Sequence, residues 1–152
     1  MLTNFALGVM MMILNLGLQV VAITLILRFI QRRLDKRLSP GLAVDIGTLS
    51  AVMAFLIIGH GVMFATWALL FQWLGDFDEF ATAFYHSTVN FTSLGYGDIV
   101  MSEEHRLLGA LEAANGVLMF GLTAGSILAV MNFLFRRNDH FQQFEEHFGK
   151  KD

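Results

Sequence analysis

Cysteine is absent from the 152 residues, proline occurs once, and only 15% of positions carry a formal charge. Without cysteine there is no disulfide framework, no thiol redox chemistry and no cysteine-ligated zinc. The lone Pro40, with few serine- or proline-rich stretches around it, argues against a disordered linker. Sparse charge beside a hydrophobic share of 55% is a balance that water-soluble domains seldom show. No nucleophile stands with a base at workable spacing, and there is no nucleotide fingerprint, calcium loop or phosphate-binding loop, so the chain does not read as an enzyme.

What is present is uncharged sequence in long runs. Met1–Leu27, Ile46–Gly75 and Leu107–Phe135, the last broken only by Glu112, each exceed the roughly 20 residues that a helix needs to cross a bilayer. The second would measure about 45 Å as a helix, so it must tilt or project beyond the hydrocarbon. Trp67 and Trp73 suit an interfacial belt near its end. The first run is read as a retained anchor rather than a cleaved signal peptide, because its bases follow an apolar stretch too long for a signal core. Asn15 and Gln19, one turn apart, share a face and predict a helix–helix contact inside the bilayer. Ser39-Pro40-Gly41 marks a break before the second run. The methionines, Met10-Met11-Met12 among them, read as flexible lipid-facing filler.

The net charge of -3 is informative once divided along the chain. Arg28, Arg32, Arg33, Lys36 and Arg37 stand against Asp35 alone, and the positive-inside tendency places this loop in the cytoplasm. Between Gly75 and Arg106 the acids Asp76, Asp78, Glu79, Asp98, Glu103 and Glu104 face a single base, Arg106, which puts that segment on the other side. Arg136 and Arg137 close the third run from the cytoplasm. The expected topology is multi-pass in a cell inner or plasma membrane, with an outside N-terminus, three spans and a cytoplasmic C-terminus.

The segment between the second and third runs is not a simple polar loop. Phe77, Phe80, Ala81, Phe84, Tyr85, Thr88 and Phe91 recur at spacings of three and four, which predicts an amphipathic helix over 77–91. Asp76, Asp78 and Glu79 complement its positive dipole end. Too short to span, it can enter the membrane and stop only if the non-helical return is enclosed in protein or lines a water-filled path. That return is Thr92-Ser93-Leu94-Gly95-Tyr96-Gly97-Asp98. Alternate glycines permit backbone angles barred to other residues, so successive carbonyls can be aimed to one side. Four copies around an axis would stack rings of oxygens that replace the hydration shell of a monovalent cation. One chain supplies one loop, so a closed pore requires cyclic oligomerisation.

Ser93-Leu94-Gly95-Tyr96-Gly97-Asp98, behind a short helix and between two spans, resembles the selectivity filter of the potassium-channel pore superfamily, T-x-G-Y-G-D in most members. The similarity covers about 46–135 and points to the small prokaryotic channels with two spans per subunit, to which this chain adds an N-terminal helix. The resemblance implies an all-α integral membrane protein with three transmembrane helices per subunit, a re-entrant pore helix and a filter loop. It implies a homotetrameric pore in the lipid bilayer, potassium ions as the permeant ligand, no cofactor and no nucleic-acid partner. The chain divides accordingly into an additional transmembrane helix (1–30), a basic cytoplasmic loop (31–44), a pore domain (45–135) and a short cytoplasmic tail (136–152). Within the pore domain the expected parts are an outer helix (45–74), pore helix (77–91), filter (92–98) and inner helix (105–135).

By resemblance, the carbonyls of Ser93, Leu94, Gly95 and Tyr96 coordinate potassium, the Ser93 hydroxyl closes the innermost site, and Gly97 lies at the outer mouth. Asp98 would bond back to the pore helix, where Tyr85 and His86 hold the usual aromatic positions, and Gly116 would be the hinge of the inner helix. Serine for threonine at 93 and leucine for valine at 94 depart from the common pattern and are expected to act on filter stiffness and selectivity. The customary proline after the aspartate is replaced by Ile99-Val100-Met101-Ser102. The first run has no arginine at every third position, so voltage sensing is not expected.

Other residues are read more plainly. Glu112, inside the third run, either supports the filter through the pore helix or senses protons and gates the filter. His60 is expected to be a neutral, hydrogen-bonded packing residue. Val117, Phe120, Ala124, Ile127 and Met131 share a stripe that lines the pore or packs on the outer helix, and Gly121 and Gly125 form a small-xxx-small pair for close packing. In the tail, Phe141, Phe144 and Phe148 share a face that would form a bundle or lie at the membrane surface. Beside the potassium channel stand two alternatives: a weakly selective monovalent cation channel, and a non-conducting membrane sensor or regulatory subunit with the channel fold. The first helix is expected to pack around the outer helix of its own or a neighbouring subunit.

Overall fold

The computed structural model describes residues 1–35 and 41–137. Lys36, Arg37, Ser39 and Pro40 of the basic loop, and the tail face of Phe141, Phe144 and Phe148, lie outside the described residues. The described chain is all helical: α1 (Leu2–Asp35), α2 (Leu42–Trp73), α3 (Phe80–Phe91) and α4 (Arg106–Arg137). Three of the four are long and apolar enough to cross a membrane. Helix is the form that allows this, because it satisfies every interior backbone group without water.

Several bounds differ from the sequence expectation. α1 runs to Asp35 rather than 30, since arginine, glutamine and leucine are good helix formers and charge alone does not end a helix. Residues 31–35 of the expected basic loop are therefore helical. α2 starts at Leu42, directly after Gly41, and ends at Trp73. α4 runs two residues beyond 135. The short helix begins at Phe80, not at 77. Asp76 is drawn away from it: its Oδ1 accepts from the Ser102 backbone N–H at 3.2 Å and its Oδ2 meets His105 Nδ1 at 2.7 Å. The Phe77 ring makes a buried contact with Phe71 and His86, and Glu79 is extended at φ -105°, ψ 132°, which sets the start of the helix at Phe80.

α1 starts, and α2 ends, at the acidic end of the bundle, where Asn4 Nδ2 donates to the Glu104 carbonyl at 2.6 Å. Arg28, Arg32 and Arg136 lie towards the opposite, basic end. Two apolar clusters hold the helices together. Near the acidic end, Met63, Trp67 and Phe71 of α2 pack with Phe91 of α3, Leu108 and Met119 of α4, and Met11 of α1. Near the basic end, Ile26 and Ile30 meet Val52, Leu56, Val130 and Leu134. Trp67 is therefore a core residue with no exposure, not part of an interfacial belt, because its face of α2 turns toward α3, while Trp73 remains 76% exposed. Met11 is likewise buried rather than lipid-facing.

α1 lies against both α2 and α4. Asn15 and Gln19 are fully buried in these seams, with Thr66 Oγ donating to Asn15 Oδ1 at 3.0 Å and Gln19 Nε2 to Thr123 Oγ at 3.0 Å. Gly8 allows close approach: a Cβ there would stand 2.3 Å from Leu111 Cδ1. Gly121 and Gly125 behave otherwise. Nothing lies within 4 Å of a Cβ built on either, so within one chain this pair leaves an open face and does not pack.

Candidate functional site

The site is the segment from Thr92 to Asp98 that follows α3, a strand only in the sense of an unpaired stretch of backbone, and its geometry starts with how that helix ends. Ser93 N–H bonds to the Asn90 carbonyl at 2.9 Å and Leu94 N–H to the Val89 carbonyl at 3.0 Å. This is the Schellman pattern, which requires a left-handed residue at Ser93. Ser93 indeed has φ 58°, where glycine is usual. The Thr92 hydroxyl bonds back to the Thr88 carbonyl at 2.8 Å and closes the last turn. Gly95 and Gly97 follow with φ 60° and 71°, and no other non-glycine residue of the described chain has positive φ. The sign of φ therefore alternates from Ser93 to Gly97, a backbone pattern by which successive carbonyls can be aimed to one side. Thr92 through Asp98 are exposed in the single chain, Leu94 by 54% and Tyr96 by 66%.

The far end of the strand is tied back to α3. Tyr85 Oη donates to Asp98 Oδ2 at 2.7 Å, and the Ile99 N–H donates to the other Asp98 oxygen at 3.0 Å. The Tyr85 hydrogen bond is the main cause that holds the Asp98 carboxyl below its ordinary value, and the same bond raises the phenol. Next to Tyr85 in sequence, His86 Nδ1–H donates to the Ile99 carbonyl at 3.1 Å. The His86 ring packs between Phe71 and Phe77, with centroids 5.6 and 5.0 Å away. Burial pushes its pKa below the usual 6.5.

α3 is seated on α4 by a second set of contacts. Asn90 Nδ2 donates to the Gly109 carbonyl and to Glu112 Oε2, both at 2.8 Å. Glu112 is fully buried, and the buried Ser87 hydroxyl of α3 lies beside its carboxylate. Gly116 lies against the last carbonyl of α3: a Cβ would fall 1.8 Å from the Phe91 oxygen. Glycine is thus demanded here by contact, whatever bending the helix undergoes. Phe91 itself is enclosed by Phe64 and Phe120 at 5.1 and 5.9 Å.

Of the residues singled out in sequence, Tyr85 meets Asp98, His86 meets Ile99, Glu112 meets the helix through Asn90, and Gly116 sits under Phe91. His60 accepts from the Thr123 hydroxyl at 3.3 Å and stacks on Phe120 at 4.9 Å. Phe120 therefore faces α2 and α3, and Ile127 packs on the basic-end cluster, while Val117 and Ala124 are exposed. Two parts escaped sequence reasoning. Asn90 could have been noticed as an amide three residues from Ser87 on a largely apolar helix. The Asp76–His105–Ser102 clasp joins positions too far apart in sequence to be paired by any local signal.

No group of three metal-ligating side chains occurs among the described residues. What the geometry offers is an exposed backbone segment of alternating φ sign, braced from behind. A family model described as ion channel matches residues 52–132, from Val52 of α2 through α3 and the strand to Asn132 of α4; α1 lies ahead of the matched region. No curated protein and no solved structure matches the chain. With just over half of its length matched and three helices long and apolar enough to cross a membrane, the chain belongs to the ion channel family, within the potassium-channel-like superfamily.

Proposed function

We propose that the protein is the subunit of a homotetrameric, potassium-selective channel that conducts passively across a cell inner or plasma membrane. The observation that carries this reading is the alternation of left-handed residues at Ser93, Gly95 and Gly97 in a strand anchored at both ends, by the α3 terminus and by Asp98. In a four-fold ring the carbonyls of Ser93, Leu94, Gly95 and Tyr96 would replace the hydration shell of potassium. Gly97 and Asp98 would form the outer mouth. The acidic end would face outward with the N-terminus, its carboxylates raising the local cation concentration, and the basic end would face the cytoplasm.

A weakly selective monovalent cation channel is the second reading, and Ser93 favours it. A non-glycine residue held at φ 58° carries about 1–2 kcal/mol of conformational cost, so the innermost ring keeps its geometry only while the contacts around it persist. Flux from liposomes loaded with potassium tests the proposal. Potassium efflux blocked by barium is the expected outcome, and equal sodium flux would reject selectivity.

A further inference from the structure

We propose that α1 is a gating restraint that holds the basic-end half of α4 through the chain Gln19–Thr123–His60. This rests on the channel reading above. α4 is held differently on the two sides of Gly116. On the acidic-end side, Asn90 bonds to Gly109 and Glu112, and Gly116 itself abuts Phe91. That half is fastened to α3, beside the filter strand. Thr123 lies seven residues past Gly116, about 10 Å along the axis, in the half that any bend at Gly116 would move.

At Thr123 three helices meet through hydrogen bonds whose donors can all be assigned. His60 Nδ1–H donates to the Leu56 carbonyl of its own helix at 2.9 Å, which leaves Nε2 as an acceptor. The Thr123 hydroxyl donates to that nitrogen at 3.3 Å, and the Thr123 oxygen accepts from Gln19 Nε2 at 3.0 Å. Gln19 is 1% and His60 7% exposed, so neither finds water as a substitute partner. Ser126, one turn further on, bonds to its own helix at Leu122 and adds nothing between helices. Below, the contacts of Val130 and Leu134 again include α1, through Ile26 and Ile30. A swing of this half about Gly116 must break the chain at Thr123 or carry α1 with it. α1 is thus a working part of the gate, although it lies ahead of the family-matched region.

The absence of cysteine makes the test clean. Spin labels are placed at Leu128→Cys on α4 and Ile57→Cys on α2, both exposed on the single chain, in full-length chains diluted with unlabelled ones in liposomes. Thr123→Val removes the hydroxyl at nearly constant shape, Gln19→Met removes the amide alone, and Thr123→Ser restores the hydroxyl. The restraint predicts a broader or two-peaked distance distribution for the valine and methionine variants and a native one for serine. Single-channel records should show the open-to-closed ratio changed about three- to tenfold, the size of one or two buried interhelical hydrogen bonds, at unaltered unitary conductance and reversal potential. If Thr123→Val does not assemble, Gln19→Met decides alone. Native distance distributions in both variants, or a shifted reversal potential, would overturn the restraint. Complete absence of current in the unaltered protein would sink the channel reading instead, and the distances would then still judge the restraint.

Discussion

α2 and α3 end in the same hydrogen-bond pattern, and what surrounds the two ends leaves one a free loop and braces the other on both sides. At α2, Gly75 N–H bonds to Gln72 and Asp76 N–H to Phe71, with Gly75 left-handed at φ 82°. At α3, Ser93 and Leu94 make the matching bonds, with Ser93 at φ 58°. Gly75 has open space around it. The α3 end is instead pressed onto α4 at Gly116 and fastened by Asn90, and the strand beyond is tied down again at Asp98. A residue that resists the left-handed conformation is held there because contacts on both sides over-determine it. Local sequence accounts for the first end, and tertiary contact accounts for the second.

The largest break in this comparison is Gly116→Ala. Its Cβ would meet the Phe91 carbonyl, a backbone atom that cannot swing aside, so α4 must lift from the α3 end. The overpacking costs about 3 kcal/mol, against which alanine's better helix propensity returns only about 1 kcal/mol. Thermal unfolding of the purified protein should show a clear net loss. Smaller and opposite effects should follow at the two helix ends. Gly75→Ala forces a side chain into the left-handed region and loses about 1 kcal/mol, whereas Ser93→Gly relieves the same cost and gains about 1 kcal/mol. Equal losses in both variants would mean that Ser93 is not strained.

The smallest effect is the pH dependence contributed by His86 on the α3 side. The pKa of His86 is lowered by burial from 6.5, so the unfolded chain takes up protons that the folded one refuses. Stability from this source is complete above 6.5 and falls as the pH drops through the lowered folded value, with a slope of at most about 1.4 kcal/mol per pH unit. The protein and His86→Asn, which keeps a donor for Ile99, unfolded side by side from about pH 7.5 to 5.5, should differ by this decline, the variant losing less stability as the pH falls. An unchanged slope in that variant would assign the decline elsewhere.

Much of this was legible before the structure. Uncharged runs announce the spanning helices because hydrocarbon admits little else, and the spacing of Gly95 and Gly97 announces a strand with unusual backbone angles. The shared face of Asn15 and Gln19 shows that α1 makes a buried polar contact. Which partners they find was not legible, since Thr66 and Thr123 are two of several hydroxyls on apolar helices. The late start of α3 was hidden for the same reason: Asp76 looks like a helix-dipole residue until Ser102 and His105, remote in sequence, claim it. Ser93 carries no sequence sign of a left-handed conformation, because the Schellman turn and its seat on α4 impose it. Gly116 could be placed by resemblance, yet its demand for glycine follows from a backbone contact that only the packed helices reveal.

The central claim is that the strand from Ser93 to Gly97 selects potassium. A bi-ionic reversal potential on the purified protein in a planar bilayer, with potassium on one side and sodium on the other, tests it most directly. The account predicts a reversal displaced far from zero toward the potassium equilibrium potential. A reversal at zero, with robust current, would contradict it.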